Sequence, residues 1–117
     1  MISDAIQKLA SGHCVRCDRS KLIANADAVR ILKDLPGWAL GTGRIEKEFR
    51  FKSYLAGLQF AYSIGKIAEE EDHHPDMLVG WRRVRLTFST HSIKGLSQND
   101  FIMAARSELE YSRTNRD

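Results

Sequence analysis

Three of the chain's four histidines lie in one stretch: His73 and His74 sit side by side in Asp72-His73-His74-Pro75-Asp76, and His91 follows in Thr90-His91. Imidazole is the side chain whose ordinary pKa lets it give or take a proton near neutral pH. Three of them converging on one pocket would make an acid–base site. Three neutral nitrogens with an open fourth position could instead hold a catalytic zinc. The spacing argues against the metal. Adjacent histidines rarely both reach one ion, and the helical i, i+4 pair of ligands is absent. Each residue also has a plainer reading. A histidine pair at a helix C-terminus interacts with the dipole and can cap the last carbonyls. Asp100 completes Ser97-Gln98-Asn99-Asp100, a helix-start signature in which the carboxylate only caps. Glu69 reads equally well as a solvated helix residue, and Arg82, Arg83 and Arg85 as an exposed turn and strand face.

The elements needed to bring these residues together can be read from periodicity. Asn25 suits the N-cap of a helix carrying Val29, Leu32 and Leu35 inward, which Pro36-Gly37 ends. Trp38–Leu40 and the alternating Ile45, Lys47, Phe49, Phe51 read as two strands joined by a turn at Gly41-Thr42-Gly43, with Lys47 out of pattern. Ser53 can cap a helix over 54–71 with two apolar stripes. One is Leu58, Ala61, Tyr62, Gly65 and Ala68; the other is Phe60, Ile64 and Ile67. Two stripes call for two covering surfaces, a sheet and a partner. Pro75 disfavours helix at His74, so the helix stops at or before the pair. A second hairpin follows, Met77–Val79 and Arg83–Thr90 about a turn at Gly80-Trp81-Arg82, with Val84, Leu86 and Phe88 inward. Ser97 caps a last helix, 98–112, burying Phe101, Ile102, Ala105 and Leu109. The expected class is α+β, in the order α-β-β-α-β-β-α: a four-stranded antiparallel sheet with helices packed on one face. Residues 1–24 read as an N-terminal extension, 25–112 as the domain and 113–117 as a frayed tail.

Length and composition bound the rest. The 117 residues suit one domain, and 43% hydrophobic with 28% charged residues is ordinary for a soluble globular protein. Net charge is 18 − 15 = +3 with the basic residues dispersed, which gives no case for nucleic acid. No apolar run reaches the roughly 20 residues of a membrane span, and the first residues lack the apolar region of a secretory signal, so a cytoplasmic location is expected. Cys14 and Cys17 form a single C-x-x-C after His13. With no strand before it and no second pair after it, thiols kept reduced are the first reading, and a metal or redox role the second.

Taken together, Glu69-x-x-x-His73-His74-Pro75-Asp76, Val84-x-Leu86 and Thr90-His91-x-x-x-Gly95-Leu96-Ser97-x-x-Asp100 resemble the pterin-4a-carbinolamine dehydratase family. The resemblance runs from about Leu22 to Leu109 and includes Leu35-Pro36-Gly37-Trp38. It implies dehydration of 4a-hydroxytetrahydropterin to quinonoid dihydropterin, recycling the pterin used by aromatic amino acid hydroxylases. It implies no cofactor beyond the pterin substrate and no metal. Homodimers or homotetramers are implied too, with a hydroxylase as a candidate partner, and neither nucleic acid nor membrane contacted directly. By motif position His73 and His91 would be the general acids and His74 would orient the pterin. Glu69 and Asp100 would fix tautomers or accept pterin N–H groups, and Pro75, Asp76 and Thr90 would line the substrate site. Some members carry an aromatic residue where this chain has Met77, and Trp81 sits further on. The alternative reading is a non-catalytic pterin- or protein-binding module, acting as a regulator or dimerisation partner.

Overall fold

The computed structural model describes residues 2–114. In chain order the elements are α1 (Asp4–Ala10), α2 (Asn25–Leu32), β1 (Ala39–Gly41), β2 (Arg44–Arg50), α3 (Tyr54–Glu71), β3 (Asp76–Gly80), β4 (Arg83–Phe88) and α4 (Gln98–Thr114). Short 3-10 turns lie at Arg19–Lys21 and His91–Ile93. The four strands form one antiparallel sheet in the order β1-β2-β4-β3, so α3 crosses over between two hairpins whose long strands pair at the centre. The class is α+β with the expected order of elements. Gly43, at φ 67°, closes the first hairpin in a conformation that costs glycine little.

Alternation decides which face is covered. Ile45, Phe49, Val84, Leu86 and Phe88 point inward and are buried, while Glu48, Arg50 and Arg83 lie on the other face. Lys47, the residue out of pattern, places its ammonium nitrogen over the Phe49 ring, 4.9 Å from the centroid. Its ammonium donates to Glu108 Oε2 at 2.6 Å and to the Pro36 carbonyl at 3.2 Å. Trp38 Nε1 donates to the same carboxylate oxygen at 2.8 Å, so a charge on the core face is paired rather than solvated. Phe49, Phe51, Phe60 and Tyr111 form an aromatic cluster between sheet and helices, with ring centroids 4.9–5.9 Å apart.

Several local expectations shift. α2 begins one residue early: Ala24 is the N-cap, without a side-chain bond, because Ala28 N–H bonds to the Ala24 carbonyl. α2 also turns Ala28 inward and leaves Val29 about half exposed; in so short a helix the buried face is chosen by what it rests on. α3 buries Phe60, Ala61, Ile64 and Ala68, whereas Leu58 and Tyr62 of the expected first stripe are exposed. α1 places Ile6 and Ala10 in the same core as the rest. α4 continues to Thr114, past Arg113 where fraying was expected, and residues 115–117 lie outside the described residues. No helix among the described residues is long and apolar enough to cross a membrane.

Candidate active site

Three chain segments end at the same place: the C-terminus of α3, the end of β4 and the start of α4. Each ends for a local reason. Asp72 takes the left-handed conformation (φ 52°) and closes α3, with its own N–H and that of His73 returning to the Ala68 carbonyl. Pro75 keeps the chain from resuming the helix, so His73 and His74 sit on irregular backbone. After β4, Thr90 and Gly95 pair across a small closed loop that begins with His91, and Lys94 turns it at φ 53°. Gly95 packs closely under Leu22: a Cβ there would lie 2.5 Å from Leu22 Cδ1, the end of an exposed side chain that would have to move aside. Ser97 then starts α4, its hydroxyl accepting from Asn99 N–H.

Asp100 ties the three ends together. It is fully buried, and its Oδ2 accepts from Thr90 Oγ1 at 2.8 Å and from Ser97 N–H at 2.9 Å. Its Oδ1 lies 2.7 Å from His73 Nε2. A carboxylate already accepting two bonds is the acceptor in the third, so the hydrogen is on Nε2 of His73 and Nδ1 is the nitrogen left to react. Ser97 Oγ, 2.8 Å from Thr90 Oγ1, donates in turn, because the single hydroxyl hydrogen of Thr90 is committed to Asp100. The His73 ring lies parallel to Phe88, the buried last residue of β4, with centroids 6.5 Å apart. One side chain thus both accepts from the Ser97 N–H at the start of α4 and bonds to His73.

A cavity of about 320 Å³ is lined by Asp72, His73, His74, Pro75, Asp76 and the chain from Ser89 to Ser92. It brings all three histidines together. His73 is 8% exposed and held from behind, while His74 and His91 are exposed. Pro75, Asp76 and Thr90 line the cavity. Glu69 and Asp100 do not: Glu69 bonds to His74 Nε2 and Asp100 to His73 Nε2, so each carboxylate reaches the cavity through a histidine. The exposed Glu69–His74 pair is open to solvent and weakly held compared with the buried one.

Sequence reasoning missed Glu71 and Asn99. Glu71, with its side chain 9% exposed, accepts from Cys14 N–H at 2.7 Å and lies near His13 Nδ1 and Arg106. The Cys14 amide holds its carboxyl below the ordinary range, helped by His13 and Arg106, while burial pushes the other way. Asn99 accepts from Val15 N–H at 3.0 Å and donates to the Val15 carbonyl at 2.6 Å. Nothing in the spacing of either residue marks it, since their partners lie 57 and 84 residues away. Cys14 and Cys17 are free thiols. Burial, then the charges of Glu71 and Asp100, push the Cys14 thiol up to about 12.

The family model of pterin 4 alpha carbinolamine dehydratases matches residues 21–109. The chain belongs to that family. A protein of Cupriavidus pinatubonensis, provisionally named pterin-4-alpha-carbinolamine dehydratase 1, is 39% identical over 113 residues, covering 92% of this chain and 97% of its own. A similarly named protein of Nitrosomonas eutropha is 39% identical over 103 residues, covering 86% and 91%. Among solved structures, a transcriptional coactivator/pterin dehydratase from Brucella melitensis superposes with a TM-score of 0.72 at 28% identity, over 76% of this chain and 97% of that one. A pterin dehydratase-like RuBisCO assembly factor of the alpha-carboxysome shares the fold at a TM-score of 0.53 and 22% identity, over 62% and 84%. The activity for which the family is named is a lyase reaction, the dehydration of a pterin carbinolamine.

Proposed function

We propose that this protein converts 4a-hydroxytetrahydropterin to quinonoid dihydropterin by histidine acid–base catalysis. The observation that carries the reading is one cavity walled by His73, His74 and His91, with His73 backed by a buried carboxylate. Hydroxide leaves poorly, so the 4a-oxygen must gain a proton as its bond to carbon breaks. The lone pair of the adjacent ring nitrogen forms the new C=N bond, water departs, and the proton on that nitrogen passes to a base. Both transfers need imidazoles within reach of opposite ends of one small group. His73 and His91 carry these protons, His73 through Nδ1, and His74, steadied by Glu69, orients the ring. Each positioned group of this kind contributes about 10²–10⁴-fold. The reaction needs no cofactor besides the pterin. We place it in the cytoplasm, in a homodimer or homotetramer, recycling the pterin of an aromatic amino acid hydroxylase.

The second reading, a non-catalytic binding module, is favoured by Leu55, Leu58 and Tyr62, which stand exposed along α3. One assay separates the two. 4a-Hydroxytetrahydropterin is generated in a spectrophotometer cell and its dehydration followed with wild type, His73→Ala and His91→Ala. Acceleration by wild type that drops at least tenfold in each variant supports the enzyme. Folded wild type that does not accelerate the reaction overturns it in favour of the binding module.

A further inference from the structure

Cys14 and Cys17 take no part in the proposed reaction, and the segment that carries them lies outside the residues matching the family model. It is nonetheless docked against the site. Cys14 N–H donates to Glu71, and the Val15 N–H and carbonyl make a two-way pair with the Asn99 amide. The Cys17 carbonyl accepts from Ser92 Oγ at 3.3 Å. Glu71 lies two residues before His73, Asn99 next to Asp100 and Ser92 next to His91. The segment is thus bonded to each of the three chain ends that meet at the histidines. Both sulfurs also face one residue: Asn99 Nδ2 donates to Cys17 Sγ at 3.3 Å, and Cys14 Sγ lies 3.8 Å from the Asn99 carbonyl oxygen.

The docked shape forbids a bond between those sulfurs. Residues 13–18 contain no turn or bend. Three extended steps of roughly 3.3 Å therefore hold the Cys14 and Cys17 Cα atoms about 10 Å apart. A disulfide needs its Cα atoms within roughly 7 Å. To bridge, residues 15 and 16 must fold into a turn, and Val15 cannot then keep both its N–H and its carbonyl on one amide. Val15 and Arg16 are exposed, so no packed side chain resists that turn.

We infer that Cys14 and Cys17 are a redox latch on the histidine site: as thiols they leave the segment docked, and as an intramolecular disulfide they release it from Asn99. As control of catalysis, the inference rests on the dehydratase reading. The oxidant is a small-molecule disulfide such as oxidised glutathione. Cys14 packs against the core, where burial holds it as the thiol, so Cys17 is the sulfur the oxidant meets. The Cys17 thiolate attacks one sulfur of the oxidant and expels the other as a thiolate. Once the segment lifts, Cys14 gives its proton to solvent and attacks the Cys17 sulfur, expelling the second thiolate. Two protein thiols are oxidised to one disulfide, and the small disulfide is reduced to two thiols that take up the two protons. Release frees Asn99, beside Asp100, and Glu71, close before His73. The bond that aims His73 then loses its outer support, and small displacements of a catalytic group are costly.

The test equilibrates wild type with mixtures of reduced and oxidised glutathione and reads the thiol state by alkylation and mass spectrometry. The Cys14–Cys17 disulfide should form without retained glutathione and reopen on reduction. In the bridged form the Cys14 and Val15 amide hydrogens should exchange at least tenfold faster, and the His73 imidazole ¹⁵N shifts should move. Its kcat/KM for 4a-hydroxytetrahydropterin should fall at least threefold and recover on reduction. Cys17→Ser should keep wild-type activity and amide protection in the same mixtures. Protein that stops at a mixed disulfide with glutathione overturns the latch. So does bridged protein whose two amides stay protected or whose kcat/KM is unchanged. If reduced wild type does not turn the substrate over, the dehydratase reading fails and the His73 shifts decide: movement on bridging upholds the latch, and unmoved shifts reject it.

Discussion

Replacing Asp100 with asparagine isolates what the buried carboxylate does for His73 from what it does for the fold. Asparagine is nearly isosteric, and its amide oxygen can occupy the place of Oδ2, keeping the bonds from Thr90 Oγ1 and Ser97 N–H. The amide NH₂ then faces His73 Nε2, where Oδ1 had stood at 2.7 Å. Two donors cannot face each other in a buried site, so the ring must move its hydrogen to Nδ1, the nitrogen needed for the reaction. The fold loses only the difference between charge-assisted and neutral hydrogen bonds, about 1–2 kcal/mol, or roughly 5–10 °C in Tm. Catalysis should fall by about 10²–10⁴-fold. Asp100→Ala differs in kind. It strands a histidine, a hydroxyl and a helix-start N–H together, at about 3–5 kcal/mol, a large share of the 5–15 kcal/mol typical of a domain. The assay is dehydration of 4a-hydroxytetrahydropterin beside urea unfolding, with ¹⁵N NMR of the imidazole to read which nitrogen carries the hydrogen. An Asp100→Asn protein with the hydrogen on Nδ1 and activity within threefold of wild type would refute the proposed use of His73.

Other outcomes follow from the same geometry. Glu71 is held below the ordinary carboxylate value of 4.5, so it contributes stability that is present above that value and lost as pH falls through its lowered one. Glu71→Gln should therefore flatten the loss of stability below about pH 4.5, and an acid titration by circular dichroism with the same slope in both proteins would contradict this. Glu108→Ala leaves the Lys47 ammonium and the Trp38 indole N–H without their shared acceptor, costing about 2–4 kcal/mol in urea unfolding. Lys47→Met in that background should recover much of the loss, since a charge that has lost its carboxylate partner is then replaced by apolar volume. With its thiol raised from 9.0 to about 12, Cys14 should alkylate at pH 8 at least tenfold more slowly in the native protein than in urea, followed by mass spectrometry. Comparable native and denatured rates would show that the segment carrying Cys14 does not stay docked against Glu71 and Asn99.

Much of this protein is local and so can be read along the chain. Alternation in Val84, Leu86 and Phe88 and the turn at Gly80-Trp81-Arg82 specify the second hairpin, because strand faces follow a period of two wherever one side is buried. Pro75 and the histidine pair mark where α3 must stop, and that end together with His91 outlines the site. Local pattern is silent about facing. α2 could bury Val29 or Ala28, and contact with the sheet side chose Ala28. It is silent, too, about partners distant in sequence. Lys47 looks misplaced until Glu108 arrives, and Glu71 and Asn99 look like ordinary helix residues until Cys14 and Val15 cross over them. The residue types that can move protons were determined by the sequence alone. Which nitrogen of His73 is free to do so was decided by the tertiary structure, since only folding carries a buried carboxylate 27 residues away to 2.7 Å from the ring.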